Sequence, residues 1–133
     1  MGKAFEEYKV GDTFSWGKTI TETDVVIFAG ITGDFNPLHT NEEYAKKSFF
    51  KGRIAHGLLV EAIMGAAGAQ YFQGAYLGHT MSFKAPARIG DTITANIEIV
   101  KIREDKQIIT YKNVGTNQNG DVIVEGECVI KYM

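Results

Sequence analysis

The sequence predicts an α+β domain in which an antiparallel sheet curls around one long buried helix. Two observations lead to this prediction. The segment 57–72 is apolar around its whole circumference and has Glu61 as its only charge, which is typical of a helix that is buried on most sides. The second half of the chain then contains successive segments with strand character, and these segments are available to enclose the helix.

Composition limits the class of protein. A chain of 133 residues with 44% hydrophobic and 23% charged residues is expected to form one domain, 1–133. Its net charge of −2 offers no electrostatic basis for binding nucleic acid or an anionic membrane, and the helix at 57–72 is too short and glycine-rich to span a bilayer. One cysteine, Cys128, excludes an internal disulfide. Because the N-terminal residues also lack the apolar run of a signal peptide, we expect a cytoplasmic protein.

Two short helices are predicted in the first half of the chain. Thr21 and Asp24 have the spacing of a capping box and open the first helix, for which Gly33 is a plausible stop. Thr40 and Glu43 repeat the same spacing. They predict that a second helix starts at Thr40.

Strands are predicted by alternation of apolar and polar residues. In 91–100 the buried face is expected to contain Ile93, Ala95, Ile97 and Ile99. In the last strand a second set shares one face: Val122, Val124, Cys128, Ile130 and Tyr132. The predicted strands are 13–20, 76–84, 91–100, 107–116 and 122–133.

The segment "GDFNPLH", 33–39, raises the first functional question. Pro37 makes a continuous helix unfavourable here, so the chain must turn, and a turn can bring Asp34 and His39 to one side. Aspartate near glycine and asparagine often only stabilises a turn. A carboxylate beside an imidazole is also the smallest set that can hold and deprotonate a water molecule. Both interpretations remain open from the residues alone.

The segment "AHGLL", 55–59, is the second feature. If the buried helix starts near Gly57, its first amides are unpaired and could bind a developing oxyanion. Alternatively, Gly57 only relieves crowding where the helix meets the sheet. His56 is expected to be a packed or capping histidine.

Other chemistries have less support. The histidines at 39, 56 and 79 lack metal-ligand spacing, so no metal is expected. The chain has no nucleophile elbow, phosphate-binding loop or dinucleotide-binding motif. The small residues at 65–69 either leave room for an acyl chain or let the helix lie close to the sheet.

Two longer segments resemble a known family. "GDFNPLHTNEEYAKKSFFKGRIAHGLL" followed by "YLGHTMSFKAPARIGDTITANIEI" is similar to the MaoC-like (R)-specific enoyl-CoA hydratases of the PhaJ type. The D-x-N-P-x-H, H-G and S-F-x-x-P-x-x-x-G-D motifs match in order and spacing, and the likeness covers nearly the whole chain.

The resemblance implies a hot-dog fold, a homodimer, and reversible hydration of trans-2-enoyl-CoA to (R)-3-hydroxyacyl-CoA. In such enzymes the motif's aspartate and histidine grip the attacking water, which corresponds to Asp34 and His39. The amide at the start of the central helix, here Gly57, polarises the thioester carbonyl. Asn36 is assigned an orienting role. No cofactor is implied, since coenzyme A enters only as part of the substrate.

One departure concerns the central helix. Some members carry a serine there, whereas this helix has no serine or threonine and offers Ala62 and Gly65. Lys84 and Arg88 are candidates to contact the nucleotide of coenzyme A, although a surface role fits them equally. A hot-dog thioesterase and a non-catalytic acyl-CoA-binding dimer remain alternatives. Acyl chain length and metabolic pathway are left open.

Overall fold

The structure is a computed structural model that describes residues 3–132. Met133, the last residue of the final predicted strand, lies outside the described residues. A short 3-10 turn, Phe5–Glu7, precedes the main elements. In chain order these are β1 (Thr13–Thr19), α1 (Glu22–Thr32), α2 (Pro37–Thr40), α3 (Glu42–Ala45), α4 (Gly57–Tyr71), β2 (Gly74–Phe83), β3 (Thr92–Arg103), β4 (Ile108–Thr116) and β5 (Val122–Tyr132).

The five strands form one antiparallel sheet in the order β1-β3-β4-β5-β2. Helix α4 packs on β1 and β3, and the core lies between the helix and the sheet. The predicted buried face of β3 is confirmed, since Ile93, Ala95, Ile97 and Ile99 are all almost fully buried. The α+β hot-dog architecture is therefore confirmed. Among the described residues no helix is both long and apolar enough to cross a bilayer.

The caps of α1 follow the prediction. The Thr21 hydroxyl accepts a hydrogen bond from the Asp24 amide at 3.1 Å, and the Asp24 carboxylate accepts one from the Thr21 amide at 2.9 Å. Gly33 ends the helix with φ = 84°, a left-handed conformation that glycine adopts without strain. The turn that contains Asp34 therefore begins immediately after this cap.

The second predicted helix differs from the structure. Asn36 caps α2 with Pro37 in the first turn, and Asn41, not Thr40, caps α3 by accepting from the Tyr44 amide at 3.0 Å. The Thr40 hydroxyl instead donates back to the carbonyl of Asn36. The predicted start at Thr40 is therefore wrong by one residue, because an asparagine next to the threonine makes the cap.

Helix α4 is buried on one face only, although its residues are apolar on all faces. Leu59, Val60, Ile63, Met64 and Ala67 are buried against the sheet. On the other side Leu58 is 63% exposed, and Ala62 and Ala69 are exposed as well. The expectation of burial on most sides is thus not met within one chain.

The last strand contains a second difference. Val124, Cys128, Ile130 and Tyr132 are buried as predicted, but Val122 is 38% exposed. Gly115 pairs with Val124 and Thr116 with Val122, so Ile123 is an extra residue in a bulge. A bulge shifts the alternation by one position, which turns Val122 outward and lets Ile123 become buried.

Candidate active site

The turn after α1 is built by the side chain of Asp34. Its Oδ1 accepts a hydrogen bond from the Asn36 amide at 3.2 Å, while its own amide donates to the Thr32 hydroxyl at 3.1 Å. The residue is exposed, and its second carboxylate oxygen accepts no hydrogen bond from residues 3–132. Asp34 therefore stabilises the turn and still presents a free oxygen.

His39 lies on α2 and is nearly buried, at 9% exposure. Its Nδ1 is 2.8 Å from the carbonyl oxygen of Ile54. A carbonyl oxygen can only accept, so Nδ1 carries the proton in the neutral ring and Nε2 keeps its lone pair. This hydrogen bond gives His39 the tautomer that a base requires.

Arg53 holds the main chain at His39. Its Nε donates to the His39 carbonyl at 2.7 Å, and its two terminal nitrogens pair with Glu22 at 2.8 and 2.9 Å. The hydrogen bonds from Arg53 hold the pKa of the Glu22 carboxyl below its ordinary value, against a smaller effect of desolvation. The clamp ties the start of α1 to α2. Sequence reasoning missed it because Glu22 and Arg53 are 31 residues apart.

His56 connects the two predicted catalytic residues. Its ring is 1% exposed and stacks on His39 with centroids 4.0 Å apart. Its Nε2 donates to the carbonyl of Asp34 at 3.0 Å. His56 is thus packed, as expected, but its side chain does not cap α4. The link to Asp34 was not visible in the sequence, because it spans 22 positions.

Asp34 and His39 lie together in the structure. A carboxylate oxygen of Asp34 and one ring nitrogen each of His39 and His56 lie within 4.8 Å of one another. A carboxylate and an imidazole at this separation can contact one water molecule together. A role in the turn and a role in holding water are compatible, since one carboxylate oxygen of Asp34 accepts from the Asn36 amide and the other remains free.

Gly57 is the first residue of α4 and follows His56 directly. Its amide donates no hydrogen bond within the described part of the chain. A Cβ on Gly57 would lie 3.0 Å from the ring of Phe83, so glycine does relieve crowding here. The open amide is a separate consequence of the helix start.

The remaining predicted residues lie outside this cluster. The Asn36 side chain accepts from the Leu38 amide at 3.0 Å and caps α2. The Arg88 guanidinium is directed at the main-chain carbonyls of 50, 52 and 53, which holds that loop. Lys84 is about half exposed and 3.6 Å from Glu125. Neither cation lies in the Asp34–His39 cluster, and contact of either with coenzyme A stays a prediction.

A groove runs between the open face of α4 and β2, with a cavity of about 620 Å³. Gly65 has no atom within 4 Å of its Cβ position, whereas a Cβ on Gly68 would overlap the hydroxyl of Tyr111. Gly68 therefore lets the helix lie close to Tyr111, while Gly65 borders open space in which an acyl chain stays a prediction. Across the groove, His79 of β2 meets Glu61 of α4 at 3.0 Å.

Comparison with known proteins decides the family. Residues 9–119 match the model of the MaoC like domain. The chain belongs to this family. The MaoC-like chain is 40% identical over 129 residues to an (R)-specific enoyl-CoA hydratase of Rhodospirillum rubrum, with 95% of this chain and 89% of the relative covered. It is 35% identical to the enzyme of the same name from Aeromonas caviae, covering 95% and 96%.

A solved structure supports the same relationship. The R-hydratase PhaJ1 from Pseudomonas aeruginosa superposes with a TM-score of 0.89 at 32% identity, covering 96% of this chain and 84% of that one. The MaoC-like hydratase fold predicted from the motifs is therefore confirmed.

Proposed function

We propose that this MaoC-like chain is an (R)-specific enoyl-CoA hydratase that interconverts trans-2-enoyl-CoA and (R)-3-hydroxyacyl-CoA. The observation that carries the proposal is that a carboxylate oxygen of Asp34 and a ring nitrogen of His39 lie within 4.8 Å of each other, while Nδ1 of His39 is held by the carbonyl of Ile54. The relatives named as hydratases support the same reaction class. A water molecule held by both groups has a base and an orienting acceptor within reach.

In the proposed reaction the thioester oxygen accepts from the amide of Gly57, which draws electrons away from the double bond. Asp34 and His39 hold water, whose oxygen attacks C3 of the enoyl group. One of the two groups takes the proton that water releases, and a proton is delivered to C2 on the same face. The reverse sequence eliminates water.

The proposed substrate is a thioester of coenzyme A, and the reaction needs no redox cofactor or metal because the amide polarises the carbonyl. The acyl chain would lie in the groove that starts at Leu58, the residue after Gly57. Asn36 orients the turn through its cap on α2. The proposed location is the cytoplasm, which suits the buried free thiol of Cys128.

The first test is hydration of crotonyl-CoA, followed as loss of enoyl-thioester absorbance. We expect Asp34→Asn and His39→Ala to lower kcat by about 10²–10⁴, the range for loss of a general acid or base. Gln118→Ala, which changes an exposed residue on the β4–β5 turn, is the matched control. Near-full activity in a folded Asp34→Asn variant would contradict the assignment.

Two other outcomes would indicate the alternative functions. Release of free thiol from a saturated acyl-CoA would indicate a thioesterase, and tight binding without turnover would indicate a binding protein.

The proposed assembly is a homodimer formed through the outer edge of β2. The outer edge of β2 pairs with no strand of residues 3–132, and its exposed apolar residues include Tyr76, Leu77 and Phe83. A long apolar edge strand of this kind normally has a partner.

Sedimentation tests the assembly. Leu77→Lys places a charge on the edge strand and is expected to convert a dimer to a monomer. Val10→Lys is the control, because Val10 is similarly exposed but lies before β1. A dimer that tolerates Leu77→Lys as well as Val10→Lys would place the interface elsewhere.

A further inference from the structure

The Glu61–His79 pair is the polar contact that crosses the groove. Glu61 projects from α4 with its side chain 14% exposed, and His79 projects from β2. Their contact joins Oε1 of Glu61 to Nε2 of His79 at 3.0 Å. The second oxygen of Glu61 accepts no hydrogen bond from any described residue. The pair therefore retains acceptor capacity that faces the groove.

The walls around this pair are mainly apolar. They are formed by small residues of α4 and by larger apolar side chains, including Ala62, Gly65, Phe72 and Ile130. The cavity also contains a buried polar group without a partner: the hydroxyl of Tyr111 makes no hydrogen bond within residues 3–132. Polar groups in an apolar cavity favour a ligand that satisfies them, because burying them without a partner costs free energy.

The pair lies one helical turn beyond the amide proposed to hold the thioester. Gly57 and Glu61 are four residues apart and share a face of α4. Phe83 lies against Gly57 and His79 contacts Glu61, so β2 contacts both ends of this helical turn. Four residues advance about 6 Å along a helix. With C–C bonds of about 1.5 Å, an extended chain covers this distance in about five bonds, which brings its fifth or sixth carbon to the pair.

We propose that the Glu61–His79 pair selects acyl chains that carry a hydroxyl at the fifth or sixth carbon over unsubstituted chains of the same length. The inference rests on the proposed function, which places the acyl chain in this groove. A hydroxyl donates to the free carboxylate oxygen of Glu61. A methylene at the same position removes water from this oxygen and returns no hydrogen bond.

The test compares trans-2-hexenoyl-CoA with 6-hydroxy-trans-2-hexenoyl-CoA as substrates. In the unaltered protein we expect kcat/KM to favour the hydroxylated substrate about tenfold, the scale of one hydrogen bond. In Glu61→Ala/His79→Ala the ratio should fall to about one or below. Glu61→Gln and His79→Gln keep the side-chain volume and should give intermediate ratios if the double variant does not fold. Glu127→Gln, an exposed glutamate on β5, is the control and should keep the ratio of the unaltered protein.

Calorimetry separates this inference from the proposed reaction. The saturated 6-hydroxyhexanoyl-CoA and hexanoyl-CoA are not hydrated, so their dissociation constants report selection alone. A preference for the hydroxylated ligand that the variants abolish supports selection by the Glu61–His79 pair. If this preference is seen but no enoyl-CoA is hydrated, only the proposed reaction fails. Equal affinity for the two ligands, or a preference that survives Glu61→Ala/His79→Ala, overturns the inference and leaves a tie between helix and strand as the role of the pair.

Discussion

The two faces of α4 have similar hydropathy but different side-chain volumes. The face on the sheet carries large side chains such as Leu59, Ile63 and Met64, all of which are buried. The open face carries mostly glycine and alanine, apart from Leu58, Glu61 and Gln70. Large apolar side chains fill a core at high density, whereas small ones leave a groove. The difference shows that one face holds the fold together while the other leaves an open groove.

The largest effect is expected from truncating the buried face. Ile63→Ala removes a side chain that is 5% exposed and should lower the free energy of unfolding by about 2–5 kcal/mol, through lost burial and a residual cavity. Urea denaturation measures it. Leu58→Ala on the open face is the matched control and should cost well under half as much in the monomeric Leu77→Lys background. Equal losses would mean that the two faces do not differ in packing.

Alanine substitutions at two glycines of α4 are expected to change the free energy of unfolding by intermediate amounts and in opposite directions. Gly68→Ala places a methyl group on the Tyr111 hydroxyl, and overpacking of this kind costs about 1–3 kcal/mol. Gly65→Ala meets no atom within 4 Å, so the better helix propensity of alanine should stabilise the fold by up to about 1 kcal/mol. Thermal unfolding of both variants gives the two signs.

Tyr111→Phe provides the check for this pair. It removes only the hydroxyl that the new methyl group would overlap, so Gly68→Ala should cost less in the Tyr111→Phe background than in the unaltered chain. A cost that does not change would show that backbone freedom, and not the contact with Tyr111, is what Gly68 provides.

The smallest effect concerns the clamp in which Arg53 joins Glu22 to the main chain of His39. The pKa of Glu22 is lowered in the folded state by hydrogen bonding to Arg53, so the clamp stabilises the fold above the ordinary carboxyl pKa and stops doing so as pH falls through the lowered value. Glu22 is more than half exposed, which limits the effect to under about 1 kcal/mol.

Glu22→Gln should therefore flatten the decline of unfolding free energy between about pH 5 and pH 3. Denaturation midpoints across that range measure the slope for both proteins. Glu43→Gln, which changes an exposed ion pair with Lys46, is the control. If unfolding free energy declines as steeply with falling pH in Glu22→Gln as in the unaltered chain, the clamp does not contribute to the loss of stability in acid.

Local physics made several features predictable from the sequence. The Thr21–Asp24 capping box, the left-handed Gly33 and the alternation along β3 each depend on residues close together in the chain. The turn at Pro37 made it predictable that Asp34 and His39 can lie on one side, whereas their proposed role came only from the family resemblance. Short-range hydrogen bonds and side-chain periodicity do not need the rest of the fold to be known.

Tertiary structure alone decided the features that depend on distant partners. The open face of α4 could not be predicted, since an all-round apolar helix does not indicate which side the sheet covers. The bulge at Ile123 depends on the register with β4, and the stack of His56 on His39 depends on how two loops meet. The Glu61–His79 contact likewise requires β2 to lie beside α4. Sequence determined the elements and the motif, because these follow from neighbouring residues, and packing determined which side chains meet across them.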